Sequence, residues 1–209
     1  MMQEVARSTP PWLDVSRETI ARLARMLDEV LRWNAAINLI STATIEQSWA
    51  RHVLDSAQLA GFVAGRSGFW ADLGSGGGFP GMVLAIIAAE TAPDLRFVLV
   101  ESNRRKAAFL QQTARVLAVD VRILPERAER LEPLMVDVVS ARAVTSLMTL
   151  LPYAHRHLKS DGVAVFMKGA SHQKEIIAAR RNWSFDGEVQ PSRSDPSAAI
   201  LVIRNIVLV

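Results

Sequence analysis

Apolar residues recur at helical spacing in the first part of the chain and gather into short strand-like runs only after residue 68. Ile20, Leu23, Leu27, Val30 and Leu31 fall on one face of a helix, with Arg17, Glu18, Arg22, Arg25, Asp28 and Glu29 on the other. Ser16 is placed to cap it, so a helix is predicted from there to about Trp33. A second helical region is predicted from about Ile45 to Ala64, with Trp49, Val53, Leu54, Ala57 and Leu59 as its apolar positions. Gly65 to Gly68 breaks that pattern. Residues 1–64 therefore read as a helical extension without a strand, and 65–209 as the main domain, the two forming one compact unit.

From residue 69 the runs alternate. Strands are predicted at Phe69–Leu73, Arg96–Glu101, Val121–Leu124, Asp137–Ser140 and Gly162–Lys168. Helices are predicted between them at residues 80–90, 103–117, 146–157 and 172–181. Trp183–Val189 and Ile200–Leu208 close the chain as a strand pair, with a loop over residues 191–196. This order predicts an α/β fold: a mostly parallel, doubly wound sheet with helices on both faces. Ligands of such sheets sit beyond the carboxyl ends of the strands.

Composition narrows the chemistry. The 209 residues contain no cysteine, which removes disulfides, thiolate metal sites and a cysteine nucleophile. No apolar run approaches the ~20 residues of a membrane span. Met1 to Pro11 lacks the apolar segment of an export signal. The net charge is only +3, so charge alone does not separate an RNA-binding enzyme from one acting on small molecules. Basic residues do cluster locally at Arg104-Arg105-Lys106 and Arg180-Arg181. Such clusters suit a phosphate backbone or a solvated helix face equally well. No set of His, Asp and Glu has persuasive metal spacing; His155 and His157 face different directions on their helix.

The segment from Phe69 to Gly81 carries the strongest signal. A strand ends in Asp72, and Gly74, Gly76, Gly77, Gly78 and Gly81 follow before an apolar helix opened by Pro80. Glycine serves where the backbone takes positive φ or lets a ligand come close. Two registers compete. A dinucleotide fingerprint threads Gly76, Gly78 and Gly81 but leaves Asp72 and Gly74 without a task and encloses Pro80. The register Asp72 through Gly78 resembles the first motif of Rossmann-like S-adenosylmethionine methyltransferases, and we prefer it. A carboxylate in the loop suits a cationic sulfonium and ammonium better than a pyrophosphate. Glu101, at the end of the second strand, is placed to accept hydrogen bonds from ribose hydroxyls.

Arg142 and Lys168 end adjacent strands and could hold a phosphate or the methionine carboxylate, or stand as surface charges. Arg51, His52 and Asp55 lie on one helical stretch, where a local ion pair is the expected arrangement. Strand four ends in Ser140-Ala-Arg142 rather than the Asn/Asp-Pro-Pro-aromatic run of enzymes that methylate exocyclic amines. Thr9-Pro-Pro-Trp12 looks like that run but precedes the first strand, and reads as a turn before a helix. A ring nitrogen such as guanine N7 needs no base, only alignment and charge stabilisation, and fits these absences.

Taken together, Arg32-Trp-Asn-Ala-Ala-Ile-Asn-Leu39, Arg51-His-Val-Leu-Asp-Ser56, the glycine segment Asp72 to Gly81, Ser140-Ala-Arg-Ala143 and Met167-Lys-Gly169 resemble the bacterial glucose-inhibited division protein B family. These are small-subunit rRNA guanine-N7 methyltransferases. The resemblance implies a cytoplasmic enzyme, expected to act as a monomer and away from membranes. It would transfer methyl from S-adenosylmethionine to N7 of guanine 527 in 16S rRNA, within the small subunit or its precursor, leaving S-adenosylhomocysteine. By motif, Gly74, Phe79, Ala128, Glu129 and Arg142 would touch the cofactor; our reading of the residues adds Asp72, Gly76, Gly78 and Glu101. Asn38, Arg51, His52, Asp55 and Lys168 become candidates for the RNA side or for the fold, with Arg104, Arg105 and Lys106 beside them. Arg142 and Lys168 are the candidates for charge stabilisation during transfer.

Overall fold

A computed structural model describes residues 9–209, so most of the segment read for an export signal lies outside the described residues. The first helix, α1 (Arg17–Asn34), begins at Ser16, whose side chain accepts from the Thr19 amide at 3.2 Å. Ser16 and Thr19 are also fastened to a distant carboxylate. Glu90 accepts from the Ser16 amide (2.9 Å), the Ser16 hydroxyl (2.8 Å) and the Thr19 hydroxyl (2.6 Å).

The second helical region forms, though not as one α-helix. A π-helical turn at Trp49–Leu54 runs into a single α turn, α2 (Asp55–Ala57), and a 3-10 stretch at Gln58–Phe62. The Asp55 amide bonds the Ala50 carbonyl, five residues back. The Arg51 carbonyl, its partner in a regular α-helix, instead receives Arg142 at 3.2 Å. A long-range tie thus accompanies the irregularity, which apolar spacing alone could not show.

Beyond it lie β1 (Gly68–Leu73), α3 (Gly81–Thr91), β2 (Leu95–Val100), α4 (Arg104–Leu117), β3 (Val121–Leu124), β4 (Val136–Arg142), α5 (Leu147–His157), β5 (Leu158–Lys168), α6 (His172–Ala179), β6 (Trp183–Pro191) and β7 (Ala199–Leu208). The sheet order is β3-β2-β1-β4-β5-β7-β6. β1 to β5 are parallel, and β7 runs antiparallel to both β5 and β6. The chain order reverses between β1 and β4, which opens a crevice at their carboxyl ends.

Alternation along β1 divides the core. Trp70 packs into a cluster with α1, α3 and α4, while Ala71 and Leu73 join α5, α6 and the β6–β7 pair on the other face. Met82 to Ala88 of α3 are all buried, because α1 and the residues after it cover the side that the sheet leaves. Register brings the functional ends level. Asp72 lies opposite both Leu99 and Ser140, and Arg142 lies opposite Met167. Among the described residues, no helix is long and apolar enough to cross a membrane.

Candidate functional site

The glycine loop rises from the end of β1 and is fastened to β2. The Gly74 and Ser75 amides both donate to the Val100 carbonyl, at 2.8 and 3.1 Å. Gly74, Gly76 and Gly78 have φ of 67°, 53° and 91°, the left-handed region that side chains rarely enter. At Gly74 a Cβ would lie 2.7 Å from the Val144 side chain, so the loop after β4 closes over it. Above Gly76 the space is open, with only the Gly74 carbonyl within 4 Å at 3.8 Å.

Glu101 stands beside that opening. One carboxylate oxygen accepts from the Gly76 amide at 2.9 Å and the other from the Asn103 amide at 2.7 Å. The loop, an open cradle and a carboxylate at its lip are the donor set that a ribose-bearing cofactor needs, so the residues fit S-adenosylmethionine.

Asp72 lies beneath the loop with no exposed surface. Its Oδ1 accepts from the Ser140 hydroxyl at 2.7 Å and its Oδ2 from the Gly81 amide at 3.1 Å. Trp70 Nε1 in turn donates to Ser140 Oγ at 2.8 Å. Burial pushes the carboxyl up to about 6, with the Ser140 and Gly81 hydrogen bonds and nearby Arg142 opposing it. Gly81 is required here because a Cβ would come within 2.6 Å of that carboxylate.

Ala128 and Glu129 follow β3 in a 3-10 turn, Ala128–Arg130. Glu129 interacts with Tyr153 and lies 3.6 Å from Arg127. The turn is held from behind by a residue that the sequence reading weighed only as a metal ligand. His157, fully buried, bonds the Ala128 carbonyl through Nε2 (2.9 Å) and meets the Leu134 amide through Nδ1 (3.4 Å). An acceptor on one nitrogen and a donor on the other fix a neutral imidazole with its proton on Nε2. Burial pushes its pKa down, as that state requires. Arg156 adds two bonds to the Leu131 carbonyl, at 2.9 and 2.7 Å.

Arg142 joins the two parts of the molecule. Its guanidinium donates to Asp55 Oδ2 at 2.8 Å and to His52 Nδ1 at 2.6 Å, and lies 5.3 Å from the centre of the Phe79 ring. The local Arg51–Asp55 pair expected from spacing does not form: Asp55 takes Arg142, 87 residues away, because the π turn removes the usual stacking of residues four apart. Arginine can only donate, so His52 Nδ1 is an acceptor and Nε2 carries the proton toward Thr44 Oγ1 at 2.9 Å. Burial, with Arg142 and Arg51 beside it, lowers the His52 pKa to about 4. The imidazole is neutral, with both nitrogens engaged.

Lys168 is committed as well. Its ammonium lies 2.7 Å from Glu175 and 2.7 Å from the Thr145 carbonyl, with only 8 % of the side chain exposed. Arg104, Arg105 and Lys106 occupy the first turn of α4, where the helix dipole disfavours cations. Arg105 reaches the Ala36 carbonyl at 3.0 Å, beside the loop that carries exposed Asn38. That loop is fastened to Asn34, the last residue of α1, whose buried Oδ1 accepts from the Leu39 and Ile40 amides at 2.7 and 2.9 Å.

The structure thus divides the candidates. Asp72, Gly74, Gly76, Gly78, Glu101, Ala128 and Glu129 gather along the ends of β1, β2 and β3. Arg51, His52, Asp55, Arg142 and Lys168 instead line a cavity of about 1120 Å³ between the irregular helical stretch, the ends of β4 and β5, and the loop from β6 to β7. Arg142, which lines the cavity, lies over the buried Phe79 ring of the glycine loop and so stands between the two places. Arg104 to Lys106 belong to neither. Among the described residues, no three His, Asp or Glu side chains come together as metal ligands.

The chain resembles known proteins along nearly its full length. The profile of the GidB family, described as rRNA small subunit methyltransferase G, matches residues 19–199. The chain is 51% identical over 192 residues to the Ribosomal RNA small subunit methyltransferase G of Cereibacter sphaeroides (strain ATCC 17025 / ATH 2.4.3), covering 92% of each chain. Among solved structures, a SAM dependent methyltransferase from Aquifex aeolicus has a TM-score of 0.58 at 10% identity, over 85% of this chain and 96% of that one. TYW2 of M. jannaschii, solved in complex with AdoMet, has a TM-score of 0.54 at 17% identity, over 81% of this chain and 77% of that one. Both solved proteins share the fold.

Proposed function

The chain belongs to the GidB family, rRNA small subunit methyltransferase G, and from that premise we propose that it transfers the methyl group of S-adenosylmethionine to N7 of a single guanine in 16S rRNA. The observation that carries this reading is the pair of adjoining sites: a glycine cradle lipped by Glu101, and a cavity lined by Arg142, whose guanidinium lies over Phe79 of the glycine loop. The cofactor supplies an electrophilic methyl group on a sulfonium. Glu101 would take the ribose hydroxyls, Ala128 and Glu129 the adenine side, and buried Asp72 would set a negative potential under the positively charged end.

The target base would enter the cavity across the Arg142 edge. Guanine N7 presents a lone pair, so no residue has to remove a proton before attack. The hydrogen bonding of His52 supports this: both nitrogens are occupied, and the group holds Arg142 in place rather than acting as a base. Phosphates would orient the RNA at Arg104 to Lys106, outside the cavity, while Lys168 steadies the loop at Thr145. The enzyme would work in the cytoplasm as a monomer, on the small subunit or its precursor, at the guanine that the resemblance marks as 527.

The test is transfer from labelled S-adenosylmethionine to undermethylated small ribosomal subunits, with the modified nucleoside identified by mass. Label on one N7-methylguanosine supports the reading. Tight cofactor binding with label only on small molecules would replace it with a metabolite methyltransferase.

A further inference from the structure

The cavity is larger than one base requires. Its 1120 Å³ exceeds the range of sites that hold an entire drug-sized ligand. At one rim stands Trp12, with 36% of its surface open, and the Arg193 guanidinium lies 5.3 Å from its ring centre.

The backbone is anchored at both residues. Trp12 sits in a turn closed by the Leu13 amide on the Pro10 carbonyl at 3.0 Å, and Leu13 is buried in the core. Arg193 donates its amide to Gln58 Oε1 at 2.9 Å, and Gln58 Nε2 donates to Asp55 Oδ1 at 2.8 Å. Neighbouring Ser194 also bonds Asp55, the carboxylate that receives Arg142. One hydrogen-bonded chain therefore links the Trp12 rim to the edge where the reacting base would lie.

Charge says what kind of contact the rim offers. Four of the cavity's charged residues are consumed in the Arg142–Asp55 and Lys168–Glu175 pairs. Of the others lining it, Arg51 and Arg193 are matched by Glu46 and Asp195, and Arg51 draws the Asp195 carboxyl down after its bonds from Ser197. A balanced cavity attracts phosphate weakly, whereas a part-exposed indole with a planar guanidinium over its ring offers flat surfaces that suit an unstacked base.

We propose that Trp12 and Arg193 form a stacking site for an unpaired rRNA nucleotide flanking the target guanine, so that the cavity holds two nucleotides rather than one. This rests on the rRNA reading above.

The test compares wild type with Trp12→Ala, Trp12→Phe and Arg193→Ala. The readouts are KM and kcat with undermethylated small subunits, cofactor Kd by calorimetry, and thermal melting. Trp12→Ala is expected to raise the subunit KM about tenfold or more. Trp12→Phe restores most of that loss, and Arg193→Ala gives a smaller increase. Cofactor Kd and kcat at saturating subunits stay unchanged, and the salt dependence of KM keeps its slope, because no phosphate contact is lost. An unchanged subunit KM in folded Trp12→Ala and Arg193→Ala, with methylation intact, overturns the stacking site and leaves the rRNA reading standing. An equal loss of cofactor affinity in Trp12→Ala also overturns it. Wild type that binds cofactor but methylates no RNA overturns the rRNA reading, and the stacking site with it.

Discussion

Asp72→Asn should make the protein more stable and a poorer enzyme. Desolvation lifts the Asp72 carboxyl from 3.8 to about 6 in a fully buried position. At about 1.4 kcal/mol per unit, a shift of roughly two units means that ionised Asp72 costs the fold about 3 kcal/mol relative to its neutral form. The folded pKa exceeds the unfolded one, so the native state binds the extra proton between about pH 4 and 6. Stability from this group is therefore present below pH 4, falls through that window, and is gone above it. An asparagine in its place keeps an acceptor for the Gly81 amide and a polar atom facing Ser140. We expect Asp72→Asn to exceed wild type by about 1–3 kcal/mol at pH 7.5, with the difference vanishing near pH 4. Urea unfolding of both proteins at four pH values measures this difference and cancels the opposing shifts of Asp137 and Glu175. Cofactor affinity should meanwhile drop about tenfold, as the negative charge proposed to lie beneath the cationic ligand is lost. A stability difference that does not vary with pH, or an asparagine variant that binds the cofactor as well as wild type, would refute the reasoning.

Three further outcomes are expected. His157→Leu leaves the Ala128 carbonyl and the Leu134 amide without their partner and should raise the cofactor Kd about tenfold in calorimetry, whereas His157→Gln, which can donate and accept, should keep it near wild type. Lys168→Met removes the ammonium from half-buried Glu175, which keeps its bonds from Ser171 and the Leu147 amide, and should cost about 1–2 kcal/mol in urea unfolding. Gly74→Asp forces a side chain onto Val144 at positive φ, and Arg142→Ala empties the wall between the two sites; each should lower methyl transfer at least about 100-fold while circular dichroism stays native.

What could be read from the chain was what depends on neighbours in sequence. The glycine loop announced itself because three left-handed residues in a row of turns demand glycine at those positions. Each strand of the sheet was placed to within a few residues by short apolar runs between helical ones, and the closing β6–β7 pair likewise. β5 starts earlier than its apolar run, at Leu158, because its first residues pair with β4 across a register shift at Val136.

The partners of the site residues were hidden, because they come from far along the chain. Nothing near Asp72 points to Ser140, nor near Asp55 to Arg142, and the π turn at Trp49–Leu54 accompanies that second tie. His157 carried no signal for this task. Its neighbours read as an ordinary helix end, and its task appears only once α5 is laid against the loop after β3.

The central claim is that cofactor and acceptor occupy two adjoining places divided by Arg142. Backbone hydrogen exchange, resolved by residue and recorded with and without S-adenosylmethionine, tests it most directly. The account predicts new protection at Gly74 to Gly78, Glu101 to Asn103 and Ala128 to Arg130, with residues 192–197 at the far rim of the cavity unchanged. Protection confined to the cavity residues, with the glycine loop exchanging as before, would contradict it.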